Sequence, residues 1–254
     1  TSLLAGDFVA AGEHSAKAAT LHAELQEPGE AAALLNLAEA HRELGQLALA
    51  QSGALQTLAL LRAQGSKHHE VGVLENLGLI ALSQGNEALA ERYTNEALIL
   101  ARELKRRAME ASLLQHLAQI LIAANRLEEA HEALNAATPL VADLGAELPQ
   151  LELQATRAQA ALAAGDAAQA QALLRSPQDL LARLAHAPSG ATLPLPMWLY
   201  ALAHRVLVAC GSPEAAALLK RARDELRQRS ERIADPGVRQ SFLNIAEHQS
   251  ILKG

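Results

Sequence analysis

Along Leu74–Arg107, apolar residues recur at the three-to-four spacing of a helix, once before Gly85 and once after it. Leu77-Gly78 lies near the middle of the first run. Ala90 and Ala97 lie on the second, which ends at Glu103-Leu104. In an antiparallel helix pair, small residues at the crossing let the backbones approach, and leucines around them fill the seam. Gly85 permits the tight turn between the two. The pattern predicts a helix hairpin.

The same unit is written along the whole chain. Turn positions with a common downstream pattern fall at Gly6, Gly45, Gly85, Asn125, Gly165 and Gly211, in steps of 39, 40, 40, 40 and 46 residues. Five residues after these turns come Ala11, Ala50, Ala90, Ala130, Ala170 and Ala216. Twelve residues after the first four come Ala18, Thr57, Ala97 and Ala137, again small. Self-similarity at such a period marks a stacked repeat protein, in which each unit buries its open face against its neighbours. The expectation is an all-α chain, a right-handed α-solenoid of about six helix pairs with a C-terminal capping helix.

One array is expected over residues 1–254. Residues 1–27 read as a partial repeat turning at Gly6-Asp7, and 30–186 as four central repeats of about 40 residues. The first of these opens with Glu30–Leu44, which carries Leu34, Leu37, Ala38 and His41 on one face. Pro139 is expected to kink or shorten its helix, with Gly145 as C-cap. Ser176-Pro177 restarts a helix through His186. Residues 187–196 (APSGATLPLP) exclude helix and form a loop, either a linker or a lid over the groove. Residues 197–233 give the last helix pair, and 235–252 a closing helix begun by Asp235-Pro236, with Phe242, Leu243, Ile245 and Ile251 expected to cover the open end.

Composition narrows the function more than the fold. Aromatics are only 2% of a chain that is 50% apolar, which weighs against a sugar-stacking site, and the net charge of −6 weighs against a general nucleic-acid or anionic-membrane binder. Lys220–Arg232 holds six basic residues and three acids; the Glu225/Arg229 pair at i, i+4 suggests an ordinary exposed helix face. Arg102, Lys105, Arg106 and Arg107 sit at a helix junction, where cations favour the C-terminal dipole. Neither run is interleaved with aromatics, so direct nucleic-acid contact is not expected.

Cys210, before Gly211, is the only cysteine, which excludes an intrachain disulfide and fits a reducing, cytoplasmic setting. No apolar run of about 18 residues suggests a membrane span. The ten histidines include no pair at i, i+4 and no HExxH; His131-Glu132 is followed by Ala-Leu-Asn. Zinc needs three or four converging ligands, so no metal is expected, and no cofactor. No GxSxG nucleophile elbow occurs. A non-enzyme is expected.

Leu77-Gly78, Gly85, Ala90 and Ala97 resemble the tetratricopeptide repeat (TPR), whose consensus carries Leu-Gly, a turn Gly and two alanines at these offsets. Leu37-Ala38/Gly45/Ala50 and Leu117-Ala118/Asn125/Ala130/Ala137 match with small substitutions. The usual period is about 34 residues, so this chain departs toward HEAT or armadillo lengths. Long TPRs of this kind resemble those of large bacterial signal-transduction ATPases, the LuxR-type regulators of the maltose-activator kind and ATPase-coupled cyclases. Arg232–Leu252, with Asp-Pro, Arg, Ser-Phe-Leu and Glu-His, is similar to the segment that ends many such chains. The resemblance implies a partner- or inducer-sensing region reporting to an NTPase module. No GxxxxGK[ST] occurs in these residues, and the chain opens partway through a repeat, so that module is expected upstream of Thr1.

In a TPR array the concave face is lined by the first helix of each pair. The Leu-Gly/Ala frame places Asn36, Glu39, Arg42, Glu75, Asn76, Gln115, His116, Gln119, Glu152 and Gln159 there, as a candidate groove for a protein or peptide. Amides in such a row can pair with the backbone of an extended segment whatever its sequence. Asn36, Asn76 and His116 recur 40 apart and suggest a polar ladder. Some TPRs clamp a peptide's C-terminal carboxylate with Lys, Asn and Arg. Here Asn36 and Asn76 match one clamp position, but Leu, Glu and Gln replace the rest, against an acidic C-terminal tail. A small-molecule inducer, or a structural and oligomerising role, is the alternative.

Overall fold

The computed structural model describes residues 8–25, 29–175, 180 and 196–254. The expected turn at Gly6-Asp7, the helix expected over 177–186 and all but Pro196 of the expected loop lie outside the described residues. Among the described residues there are thirteen helices and no strand. They are α1 Phe8–Leu25, α2 Glu30–Glu43, α3 Leu47–Ala63, α4 Lys67–Ser83, α5 Glu87–Glu103, α6 Arg107–Ala123 and α7 Leu127–Leu144. There follow α8 Glu147–Ala163, α9 Ala167–Arg175, α10 Met197–Ala209, α11 Glu214–Glu231, α12 Pro236–Leu243 and α13 Ala246–Lys253. No described helix is long and apolar enough to cross a membrane.

The helices fall into two compact units, residues 1–106 with 230–245, and 107–229 with 246–254. In the first, α1 to α5 pack in succession, and α2 also touches α4. In the second, α6 to α9 pack in the same succession, α6 touches α8, and α10 packs on α8, α9 and α13. Each unit is thus made of consecutive helix pairs in which the first helices of neighbouring pairs meet directly.

The turns explain the period. From Gly45 to Gly165 one residue in every twenty adopts the left-handed conformation: Gly45, Gly65, Gly85, Lys105, Asn125, Gly145 and Gly165, with φ between 53° and 85°. In six of these seven turns the left-handed residue's N–H returns to the carbonyl three back, and the next N–H to the carbonyl five back. At Gly85 these are Gly85 N to Leu82 O and Asn86 N to Ala81 O, both 2.9 Å. This double closure satisfies the orphan carbonyls of the helix end. Gly145 makes only the first bond, 3.2 Å to Ala142 O. Side chains cap helix starts among the described residues: Asn86 Oδ1 accepts from Leu89 N at 3.1 Å, Asp166 Oδ1 from Gln169 N at 2.8 Å, Ser212 Oγ from Glu214 N at 3.3 Å and Asp235 Oδ1 from Val238 N at 2.8 Å.

The seam between paired helices is built from the small residues of the repeat. Ala50, Ala90, Ala130 and Ala170 are all fully buried, as are Thr57, Ala97 and Ala137. Gly78 lies so close to α5 that a Cβ there would stand 2.6 Å from Thr94 Oγ1 and 3.4 Å from Ala90 O. Ala216 breaks the series: it is exposed, and Leu218, Leu219, Ala222 and Leu226 are buried on α11 instead.

Three local expectations change. Pro139 does not shorten α7, which runs on to Leu144. Pro139 is exposed, so the carbonyl it leaves without an N–H partner is not trapped in a core. The closing segment forms two short helices rather than one, divided at Asn244-Ile245. The segment 230–245 joins the first unit, where a Cβ on Gly45 would meet the Ser241 carbonyl carbon at 2.9 Å and Ile245 Cγ1 at 3.1 Å. In the second unit α13 packs on α10, and Arg223 reaches its end, with Nε donating to Ile251 O at 3.0 Å and Nη2 to Leu252 O at 3.2 Å.

The Glu225/Arg229 pair is not on an exposed face. Its 2.8 Å bond joins side chains only 8% and 13% exposed. Burial and the Glu225 charge together push the Tyr200 hydroxyl above its ordinary pKa of 10.0, against opposing effects of Arg229 and Arg221.

Two substitutions test this account. Lys105 holds a left-handed conformation that costs a side-chain-bearing residue about 1–2 kcal/mol. Lys105→Gly should therefore raise stability by roughly 0.5–1 kcal/mol after the entropy of the freer unfolded chain, read as a higher urea midpoint at unchanged slope. Gly78→Ala should lower stability by about 1–2 kcal/mol, overpacking outweighing the gain in helix propensity. Combined with Thr94→Ala, it should show a favourable coupling energy in a double-mutant cycle.

Candidate functional site

Helices α2 and α4 bring four of the ten expected residues together. Arg42 Nε donates to Asn76 Oδ1 at 3.1 Å, and Arg42 Nη2 pairs with Glu43 Oε1 at 2.6 Å. Glu39 lies one turn before Arg42 on α2, half-buried, and feels Arg42 and Glu43 on its own helix and Glu75 across on α4. Burial is the largest influence on Glu39 and raises its pKa above the ordinary 4.5. Arg42 opposes this rise, while Glu43 and Glu75 add to it. Asn76 is only 5% exposed, and its Nδ2 has no hydrogen-bond partner.

The position that repeats across the first helices is therefore not uniform. Asn36 is exposed, Asn76 is buried and held by Arg42, and His116 is half-buried on α6 in the second unit. The expected ladder of equivalent polar groups is not what the first unit contains. Its polar contact runs from Arg42 of one repeat to Asn76 of the next, a pairing that identity of position does not reveal.

In the second unit three of the polar groups are the amides of Gln115, Gln119 and Gln154. Gln115 is 4% exposed; its Nε2 makes a long 3.5 Å contact with Ala111 O, and its Oε1 has no partner. Gln119 Nε2 donates to Thr156 Oγ1 of α8 at 3.4 Å. Gln154 Oε1, also on α8, is buried without a partner. Sequence reasoning missed Gln154, although it stands one helical turn after Leu151 on a helix already expected to line the groove. Glu152 and Gln159 are half-buried on the same helix. Arg157 turns toward α7, donating from Nη2 to Thr138 Oγ1 at 2.8 Å.

Charged pairs elsewhere join different helices, those of Arg62 crossing to the next repeat and those of Arg107 and Lys67 linking the two helices of one pair. Arg62 bonds Glu70 Oε1 at 2.7 Å and also pairs with Glu96; Arg107 meets Asp143 at 2.7 Å; Lys67 meets Glu103 at 3.5 Å. Mostly exposed, each is worth little on its own. Among the described residues no group of three or more His, Cys, Asp or Glu could hold a metal ion.

No protein-family model matches the chain, and no curated protein matches it. Solved structures do. Rap protein, complexed with Competence and Sporulation Factor, superposes with a TM-score of 0.61 at 16% identity over 88% of this chain. The match spans 64% of the Rap chain, so this chain covers under two thirds of that relative. BtubC from P. vanneervenii gives a TM-score of 0.61 at 17% identity, covering 90% of this chain and 94% of that one. The TPR-like repeats of a putative kinesin light chain from Podosopora anserina give 0.54 at 20% identity, covering 80% and 97%. These likenesses establish the fold: an all-α chain of TPR-like helix pairs.

Glu39 yields a prediction with a definite sign. Its pKa is raised in the folded state, so that state takes up the proton more readily than the unfolded one. Stability then falls as pH rises through the interval from 4.5 to the folded pKa, and the penalty persists at neutral pH. Glu39→Gln should raise the melting temperature at pH 7, and this advantage should shrink as pH falls toward 4.5. Melting curves of the two proteins across pH 4–7 check it; an advantage constant with pH would exclude burial of the charge as its cause.

Proposed function

We propose that this chain is a non-catalytic module that binds a protein or peptide along the first helices of its pairs. In this reading it serves as the sensor of a larger cytoplasmic signalling or transcription-regulatory ATPase. The observation that carries the reading is the cluster at Glu39, Arg42, Glu75 and Asn76. Packing alone asks for apolar residues where α2 meets α4, and here the chain instead holds three carboxylates, a guanidinium and a buried amide. A buried amide donor left unpaired costs stability, so Asn76 Nδ2 at this contact supports a ligand. The buried amides Gln115 and Gln154 offer acceptors of the kind that pair with an extended backbone.

Two further observations support the wider context. The Rap structure was solved with a bound factor, and this chain is similar to Rap along most of its own length. The Arg232–Leu252 segment resembles the end of large signalling ATPases. An NTPase module upstream of Thr1 follows from that resemblance.

A random-peptide display selection on the full chain tests the binding reading. Selected peptides should lose more than tenfold in affinity when Glu75→Lys is introduced, with the melting temperature nearly unchanged. Selection that yields no peptide, together with a rise in melting temperature from one class of small molecule, would transfer the site to an inducer. The reading frame upstream of Thr1 tests the rest: a P-loop module there supports the sensor, and an unrelated domain removes it.

A further inference from the structure

We propose that residues 230–245 form a strap that docks on the turn ending α2 and leaves it as a unit, and that this docking regulates the site at α2 and α4. Docked, the strap fixes the turn from which Arg42 reaches Asn76. Released, it frees that end of α2 to move. This rests on the binding reading above and names a regulation of the same site.

One turn glycine differs from the others. Gly45, Gly65, Gly85, Gly145, Gly165 and Gly211 are all left-handed, with φ between 62° and 85°. At the last five a Cβ would meet no heavy atom within 4 Å. At Gly45 it would press on the Ser241 carbonyl, 2.9 Å from its carbon, and stand 3.1 Å from Ile245 Cγ1. Glycine serves this turn twice, by its φ and by leaving a seat for backbone from far downstream. The segment that fills the seat holds its own shape. Asp235 Oδ1 accepts from Val238 N at 2.8 Å, and Ile233 O accepts from Arg239 Nε at 2.9 Å and Nη2 at 2.6 Å. Bonds that close within a segment survive its departure, so it opens and closes cooperatively.

The seat is also built on the site. Gly45 N donates to Arg42 O at 2.9 Å and Gln46 N to His41 O at 2.8 Å. His41 Nδ1 and Gln46 Oε1, 2.6 Å apart, close the same turn through side chains. Arg42 thus accepts from the turn through its carbonyl and donates through Nε to Asn76 Oδ1 at 3.1 Å. Direct contacts run without a gap from Ser241 to Gly45, Arg42 and Asn76. The docked and released strap are the two arrangements this path connects to the site. Docking and the Arg42–Asn76 bond favour each other, and the coupling is reciprocal: what breaks one loosens the other.

Hydrogen exchange of the full chain, followed by mass spectrometry, tests this. Gly45→Ala and Gly85→Ala put alanine at nearly the same left-handed φ, 72° and 71°, but only the first sets a methyl against Ser241. Gly45→Ala should speed exchange over 236–245 by about tenfold, and Gly85→Ala should leave it unchanged. Ile245→Ala, a milder loosening of the same seat, should move exchange over 236–245 in the same direction. Asn76→Leu, which removes the partner of Arg42 without touching the turn, should speed it several-fold, and Gln56→Ala, exposed on α3, should not. Melting curves confirm that each variant is folded at the temperature of exchange. Equal exchange over 236–245 in Gly45→Ala and Gly85→Ala, with Ile245→Ala like the parent, would overturn the strap. A response to Gly45→Ala and none to Asn76→Leu would overturn its regulation of the site. Neither readout uses a ligand, so both outcomes are distinct from a failed peptide selection, which would remove the site that the strap regulates.

Discussion

Between Gly45 and Gly165 a left-handed residue recurs at intervals of twenty, and most of the repeat's geometry follows from that spacing. The closure at each turn consumes three residues, which leaves helices of 17 residues at α3, α4, α5, α6 and α8 and 18 at α7. At about 1.5 Å per residue these are close to 26 Å long. Helices of equal length that start from equal turns keep the same rotational phase, so the same positions meet in every pair. The buried alanines at 50, 90, 130 and 170 are the result of that phase, not an independent cause of the fold.

The regular seam sets what the other face can do. Small residues at the crossing bring paired helices close and spend the available burial between the two members of a pair. Adjacent first helices, such as α2 and α4, also touch, and this contact tolerates chemistry that the seam does not. Arg42 reaches Asn76 there, Glu39 is half-buried there, and Gln119 meets Thr156 at the corresponding contact of α6 and α8. Where the repeat demands small apolar residues it has them; where it does not, side chains of different charge appear from repeat to repeat. A site that varies along a uniform scaffold is how a repeat protein reads one ligand rather than many.

Much of this was legible in the sequence, and the rest was hidden for physical reasons. Helix boundaries from 30 to 175 could be placed within a few residues because Gly45, Gly85, Asn125 and Gly165 are residue types that enter the left-handed region at low cost. The turns between repeats were less visible. Gly65 is not among the turn positions read from the repeat, and Lys105 is not a residue type that marks a turn, yet both adopt the left-handed conformation. The exposed Ala216 shows the reverse error, a matching letter out of phase with its helix. Periodicity placed Glu39, Arg42, Glu75 and Asn76 on first helices, but the bond from Arg42 to Asn76 spans 34 residues and depends on packing between repeats. The Glu225/Arg229 pair was legible as a pair and not as buried, since i, i+4 spacing says nothing of what covers it.

Local disagreement with the repeat is itself informative. A solenoid repeat is a consistent solution in which turn chemistry, helix length and seam all agree, so a residue that breaks the agreement costs stability unless something offsets it. Lys105 breaks it through the backbone alone and is exposed, which makes it a cost that a glycine would remove. Asn76 breaks it differently. Its buried amide retains an unpaired donor, from which helix packing alone gains nothing. The two departures are therefore distinguishable in kind: one is a strained turn that the fold tolerates, and the other is a buried amide donor left without an acceptor.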